Sequence, residues 1–160
     1  DPSDSSFFGY SVAVSAGIAI VGAPRDSDAW SYAGAAYVFY RDQGGTDGWG
    51  QVKKFKAGDA SASAGAGYDV AVADGYAVVG APYAGGGGTQ KGQAYILAKD
   101  EGGADNWGQL QRLRASGSGD YDVFGYSVAF AGIDALVGAP GTDDNGSESG
   151  AAFIFEKTSP

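Results

Sequence analysis

Residues 8–24 read FGYSVAVSAGIAIVGAP, residues 66–82 read AGYDVAVADGYAVVGAP, and residues 124–140 read FGYSVAFAGIDALVGAP. The three stretches begin 58 residues apart. A fixed internal period marks a chain built from one repeated supersecondary unit, so the period is read before any local motif. Within the unit, Tyr10, Val12 and Val14 alternate with small or polar residues, as do Tyr68, Val70 and Val72, and Tyr126, Val128 and Phe130. That is the period of a strand with one buried face. Ala16-Gly17 and Asp74-Gly75 suit a primed hairpin turn, because glycine accepts positive φ. In the third copy the order is Gly132-Ile133, so a different turn is expected there. The second strand is apolar at nearly every position, as expected of a strand covered on both faces. Gly-Ala-Pro ends it, since proline cannot donate to a ladder.

Outward from this core the pattern continues. A polar loop at residues 25–33 leads to a third apolar strand at 34–40, and a turn at 41–48 leads to a fourth at 49–57. The second copy repeats this with a loop at 83–91 and strands at 92–98 and 107–115. The third has its loop at 141–149 and its third strand at 150–156, and lacks a copy of the fourth. The repeats are therefore 1–58, 59–116 and 117–160, forming one segment, and each is a meander of short antiparallel strands. Nothing has the period or caps of a helix longer than a turn. Four-stranded sheets repeated radially make a β-propeller, so the expected class is all-β, with about three blades per chain. The fourth strands hold Lys53, Lys54, Lys56, Arg112 and Arg114, five of the ten cations, and are expected to be solvated outer edges. Trp49 and Trp107 are in register and are expected to pack blades together.

Composition narrows the function. The formal charge of −9 argues against nucleic acid or insertion at an anionic membrane, both of which need clustered cations. The chain has no Cys and no His, which removes thiolate sites, the commonest general base and the commonest zinc ligand. It has no Met, no signal peptide and no apolar run near 18 residues, and reads as a mature or excised piece. A serine nucleophile would lack a histidine base, so no enzyme is expected.

Propellers close with about four to eight blades. Two and three-quarter blades would leave apolar end faces open, which a soluble monomer rarely tolerates. Either the rest of a longer propeller covers them, or copies associate; two copies would give a six-bladed ring with two-fold symmetry.

Phe8-Gly9 with Gly22-Ala23-Pro24, and Phe124-Gly125 with Gly138-Ala139-Pro140, resemble the signature of FG-GAP repeats, the blades of integrin α-subunit propellers and of many bacterial surface proteins. The middle copy has Ala66-Gly67 in place of Phe-Gly. The resemblance implies an extracellular or cell-surface adhesion module that binds a protein or carbohydrate. The binding face would be formed by the loops joining second and third strands together with the segments between blades, here 58–65 and 116–123. Many such blades hold calcium between their first two strands, but residues 15–18, 73–76 and 131–134 are too short and carry too few carboxylates for six to eight oxygens.

On the implied face, Arg25, Asp26, Asp28, Trp30, Tyr32 and Tyr83 are the candidate ligand-binding residues, because aromatics beside charged groups grip sugars and protein partners. Asp143, Asp144, Asn145 and Glu148 form the densest oxygen cluster, read first as a polar turn and second as a possible calcium site. The expected function is a non-catalytic binding module. The alternative is a structural subunit that self-assembles, as a homodimer or within a surface array.

Overall fold

The computed structural model describes residues 4–85, 89–117, 119–143 and 146–158. Eleven strands form three antiparallel sheets, with no helix among the described residues. The first sheet is β1 (Val12–Ser15), β2 (Ile18–Ala23), β3 (Ala35–Tyr40) and β4 (Gly50–Phe55), in that order. The second is β5 (Val70–Ala73), β6 (Tyr76–Ala81), β7 (Gln93–Ala98) and β8 (Gly108–Leu113). The third is β9 (Ser127–Ala131), β10 (Asp134–Ala139) and β11 (Ala151–Glu156). These are three blades of a half-propeller, with the first strands β1, β5 and β9 side by side.

The turns follow from local chemistry. Ala16-Gly17 and Asp74-Gly75 both have positive φ at each residue, the type I′ pattern that matches strand twist. In the third blade only Gly132 has positive φ, at +61°, which is the type II′ pattern. A β-branched Ile133 cannot enter the left-handed region cheaply, so the glycine moves to the first turn position.

Register defines two faces on every blade. Val12, Val21 and Tyr37 lie opposite one another, as do Val14, Ala19 and Phe39, and together they make a leading face. Ile20, Ala36 and Val38 point the other way and make a trailing face. The trailing face of blade 1 packs on the leading face of blade 2, where Val70, Val72, Val79, Tyr95 and Leu97 are buried. The trailing face of blade 2, with Val78, Ala94 and Ile96, packs on the leading face of blade 3, with Val128, Phe130, Val137, Phe153 and Phe155. Close backbone approach sets the spacing. A Cβ on Gly22 would stand 2.0 Å from the Gly67 carbonyl oxygen, and one on Gly80 would stand 2.1 Å from that of Gly125. The glycine of each Gly-Ala-Pro is therefore where neighbouring blades touch. Across these junctions Ser11 Oγ donates to the Gly67 carbonyl at 2.9 Å, and Asp69 Oδ2 accepts the Val128 N–H at 2.7 Å.

Four expectations change. The Val12 and Val14 face is not buried: each is 69% exposed, whereas Val70 and Val72 are 5% and 9% exposed. The alternation is right, but among the described residues no blade packs against that face. The second strand is covered on both faces only in blade 2; in β10, Leu136 is exposed while Val137 is buried. The fourth-strand cations are not simply a solvated edge. The Lys54 side chain is only 14% exposed and is ion-paired with Asp26 and Asp28, and Arg112 pairs with Asp59. The tryptophans also diverge. Trp107 is fully buried between blades 1 and 2 and donates its indole N–H to the Tyr40 hydroxyl at 2.8 Å, while Trp49 is exposed.

Candidate binding site

The β2–β3 loop of blade 1 is organised by Asp26. Its main chain bridges the loop, with Asp26 N–H donating to Ala23 and Gly34 N–H donating to Asp26. Its carboxylate is 1% exposed and turned towards the sheet. There it accepts from the Tyr37 hydroxyl at 2.7 Å and the Asp28 N–H at 3.1 Å, and lies 2.9 Å from Lys54 Nζ. Burial alone would raise the Asp26 pKa, but the hydrogen bonds from Lys54, Tyr37 and the Asp28 amide hold it below the usual value. Burial works against the Lys54 ammonium too, and its bonds to Asp28, Tyr37 and Asp26 outweigh that and raise its pKa. Tyr37 is pushed up to about 12, first by burial and then by Asp26. The Asp26–Lys54 pair thus ties the loop to the blade and leaves neither group facing a ligand.

With Asp26 turned inward, its neighbours Arg25 and Tyr32 stand on the rim. Tyr32 has φ of +53°, and its N–H is held by Ser27 Oγ at 3.0 Å. The segment between blades is tied to this loop strand-fashion: Ser63 N–H donates to Ser31, Gly65 to Tyr32, and Ala66 to Ala33. Tyr83, opening the β2–β3 loop of the next blade, donates its N–H to Ala64. The result is a cleft of about 460 Å³ lined by Phe7, Tyr10, Pro24, Arg25, Tyr32, Ser63, Gly65, Tyr68 and Tyr83.

Three of the six ligand-binding candidates, Arg25, Tyr32 and Tyr83, line this one cleft. Asp26 and Asp28 belong to the Lys54 ion pairs. Trp30 is exposed on the same loop and does not line the cleft. The Arg25 guanidinium sits 4.2 Å from the Phe7 ring centroid and 5.9 Å from that of Tyr32. Among the described residues no carboxylate is ion-paired with it. One wall is a tyrosine ladder, with Tyr10 to Tyr68 at 5.0 Å, Tyr68 to Tyr126 at 4.9 Å, and Tyr83 edge-on to Tyr68 at 5.6 Å. Hydrogen bonding with Tyr10, then Tyr126, together with burial and Tyr83, raises the Tyr68 pKa, so its phenol stays protonated. The cleft therefore offers aromatic faces, phenol hydroxyls and one cation.

Sequence reasoning missed Phe7, Tyr10 and Tyr68 as lining residues. The alternation places Tyr10 and Tyr68 on the buried face of a strand, yet each lies two residues before its strand begins. The available signal was a tyrosine at the same place in every repeat, positions 10, 68 and 126.

The acidic loop of blade 3 is a turn in the part that is described. Asp143 Oδ1 accepts the Glu148 N–H at 2.6 Å. Asp144 and Asn145 lie outside the described residues. Among the described residues no group of three or more carboxylates is arranged to hold a metal ion.

Comparison with known proteins agrees with this architecture. The family model described as FG-GAP repeat matches residues 1–39, 49–97 and 107–155, most of the chain in three copies. The chain is an FG-GAP repeat protein. Among solved structures, the crystal structure of the computationally designed Ika4 protein is similar at 13% identity and a TM-score of 0.52, over 98% of this chain and 94% of that one. At that identity the likeness shows the fold alone. No curated protein matches the chain. Among the described residues no helix is long and apolar enough to cross a membrane.

Proposed function

We propose that this FG-GAP segment is a non-catalytic binding module, exposed outside the cell or on its surface, that recognises carbohydrate in the cleft between blades 1 and 2. The observation that carries the reading is the convergence of Arg25, Tyr32 and Tyr83 with Tyr10 and Tyr68 in that cleft. Tyrosine rings offer a flat apolar face and a polar rim, the combination a sugar ring needs. The Arg25 guanidinium, with no ion-paired carboxylate among the described residues, adds a bidentate donor for an anionic substituent, so uronic-acid sugars fit better than neutral ones.

The function rests on loops because the blades supply only a rigid frame. The absence of His and Cys leaves no ordinary nucleophile–base pair in the cleft, which supports binding in place of turnover.

Calorimetric titration with an oligogalacturonate and with a neutral hexose oligomer of equal length tests the reading. The acidic oligomer is expected to bind, with affinity falling at least tenfold in both Arg25→Gln and Tyr83→Ala. No binding of either oligomer, or acidic binding unchanged in both variants, would overturn it.

A further inference from the structure

Tyr10, Tyr68 and Tyr126 stand 58 residues apart. Each is fixed by the same turn, its N–H donating to the carbonyl three residues back, that of Phe7, Gly65 and Val123 in order. The blade spacing then brings the rings together across both junctions. Tyr10 and Tyr68 have centroids 5.0 Å apart and planes at 49°; Tyr68 and Tyr126 are 4.9 Å apart at 47°. Tyr83 also meets Tyr68, but edge-on at 85°. Tyr68 is thus common to every pair of the tyrosine ladder, and its hydroxyl faces those of Tyr10 and Tyr126.

Phenols placed in this way react with one another once oxidised. A tyrosyl radical carries its unpaired electron on the phenol oxygen and on the ring carbons ortho to it, and two such carbons in contact form a bond. Those carbons flank the hydroxyl, the edge at which Tyr10 and Tyr68 meet. Fixed proximity makes the pairing of the two radicals an intramolecular step. Composition removes the usual competition for an oxidant, because the chain has no Cys and no Met. For the same reason no disulfide ties blade to blade. Tyr10 and Tyr68 both line the cleft and so meet solvent there, whereas Tyr126 does not line it.

We propose that Tyr10 and Tyr68 are a cross-linking site, joined by a bond between their ortho carbons when the protein meets hydrogen peroxide and a haem peroxidase. The peroxidase, oxidised by one hydrogen peroxide, removes one electron and one proton from each phenol. The two radicals combine, and the hydrogen on each bonded ortho carbon moves to that ring's oxygen, restoring both phenols. One carbon–carbon bond forms, the chain loses two hydrogen atoms, and the peroxide leaves as two water molecules. The bond closes a long loop from blade 1 to blade 2, as a disulfide would, and stiffens the junction that holds the cleft. It alters none of Arg25, Tyr32 and Tyr83. This proposal does not depend on what the cleft binds.

Treatment of the 160-residue chain, at micromolar concentration, with a haem peroxidase and hydrogen peroxide tests it. Expected are dityrosine fluorescence and, under denaturing conditions, a single-chain mass lower by two hydrogen atoms. Trypsin is then expected to release peptides 1–25 and 57–91 linked together. Tyr10 is the one tyrosine of the first, and fragmentation is expected to place the bond on Tyr68 rather than Tyr76 or Tyr83 of the second. Tyr10→Phe and Tyr68→Phe keep the ring and its packing, and each is expected to abolish the fluorescence; Tyr76→Phe is expected to leave it unchanged. The linked chain is expected to melt roughly 5–15 °C above the untreated one. No dityrosine, a bond between two chains in its place, a signal that survives Tyr10→Phe or Tyr68→Phe, a bond joining any other pair of tyrosines, or a linked chain that melts no higher would each overturn the proposal.

Discussion

Replacing Asp26 by Asn tests how the binding loop is held. The side chain keeps its shape and loses its charge. In the native protein the carboxylate is 1% exposed, 2.9 Å from Lys54 Nζ and 2.7 Å from the Tyr37 hydroxyl. A hydrogen bond to a buried charged group contributes about 1.5–3 kcal/mol, and breaking a buried pair costs about 3–5 kcal/mol when nothing replaces the lost partner. Here Lys54 keeps Asp28, so the smaller figure governs, and the expected loss is about 2–3 kcal/mol. For a chain of this size each kcal/mol moves Tm by about 2–4 °C, so Tm should fall by roughly 5–10 °C at neutral pH. The pH dependence fixes the cause. The folded pKa of Asp26 lies below its unfolded value near 3.8. Its contribution is therefore fully present above about pH 4 and is lost as pH falls through the folded pKa. The gap between variant and parent should narrow as the parent's own carboxylate is protonated; the other carboxylates titrate in both proteins. Thermal melts of both, at matched concentration, at neutral pH and near pH 2–3, give the comparison. Equal Tm at neutral pH, or a gap that is the same at both ends, would refute the electrostatic account of the loop.

Other changes probe the frame. Gly80→Ala puts a methyl 2.1 Å from the Gly125 carbonyl oxygen, so urea titration should show a loss of at least the ~1–3 kcal/mol usual for overpacking. Trp107→Ala empties a fully buried site between blades 1 and 2, and the same titration should show a loss of about 3–5 kcal/mol. Gly132→Ala forces a left-handed φ of +61° on a residue with a side chain and should cost about 1–2 kcal/mol, whereas Gly132→Asn should cost less; melting curves of the two variants check this.

Much of the fold was legible because the period carries it. Strand order, turn positions and the role of the Gly-Ala-Pro glycines all follow from chemistry that recurs every 58 residues. Burial was not fully legible, because identical residues in different repeats meet different neighbours. Val12 and Val70 are the same residue at the same repeat position, and only the second has a blade in front of it. The site was half legible for a related reason. Arg25, Tyr32 and Tyr83 lie on the loops that the family resemblance implies as the binding face, but Tyr10 and Tyr68 obey the strand alternation and looked structural. Asp26 and Asp28 lie on those loops as well, and sequence cannot say whether a loop carboxylate faces solvent or turns back to a lysine on the fourth strand.

The central claim is that recognition occurs in the cleft between blades 1 and 2. Nuclear magnetic resonance of ring-labelled tyrosine during titration with an oligogalacturonate tests it most directly, because the ten tyrosines are spread over the whole molecule. The account predicts ring shifts at Tyr10, Tyr32, Tyr68 and Tyr83, with Tyr37, Tyr40 and Tyr95 unmoved. Saturable shifts confined to other tyrosines, or no shifts at all, would contradict it.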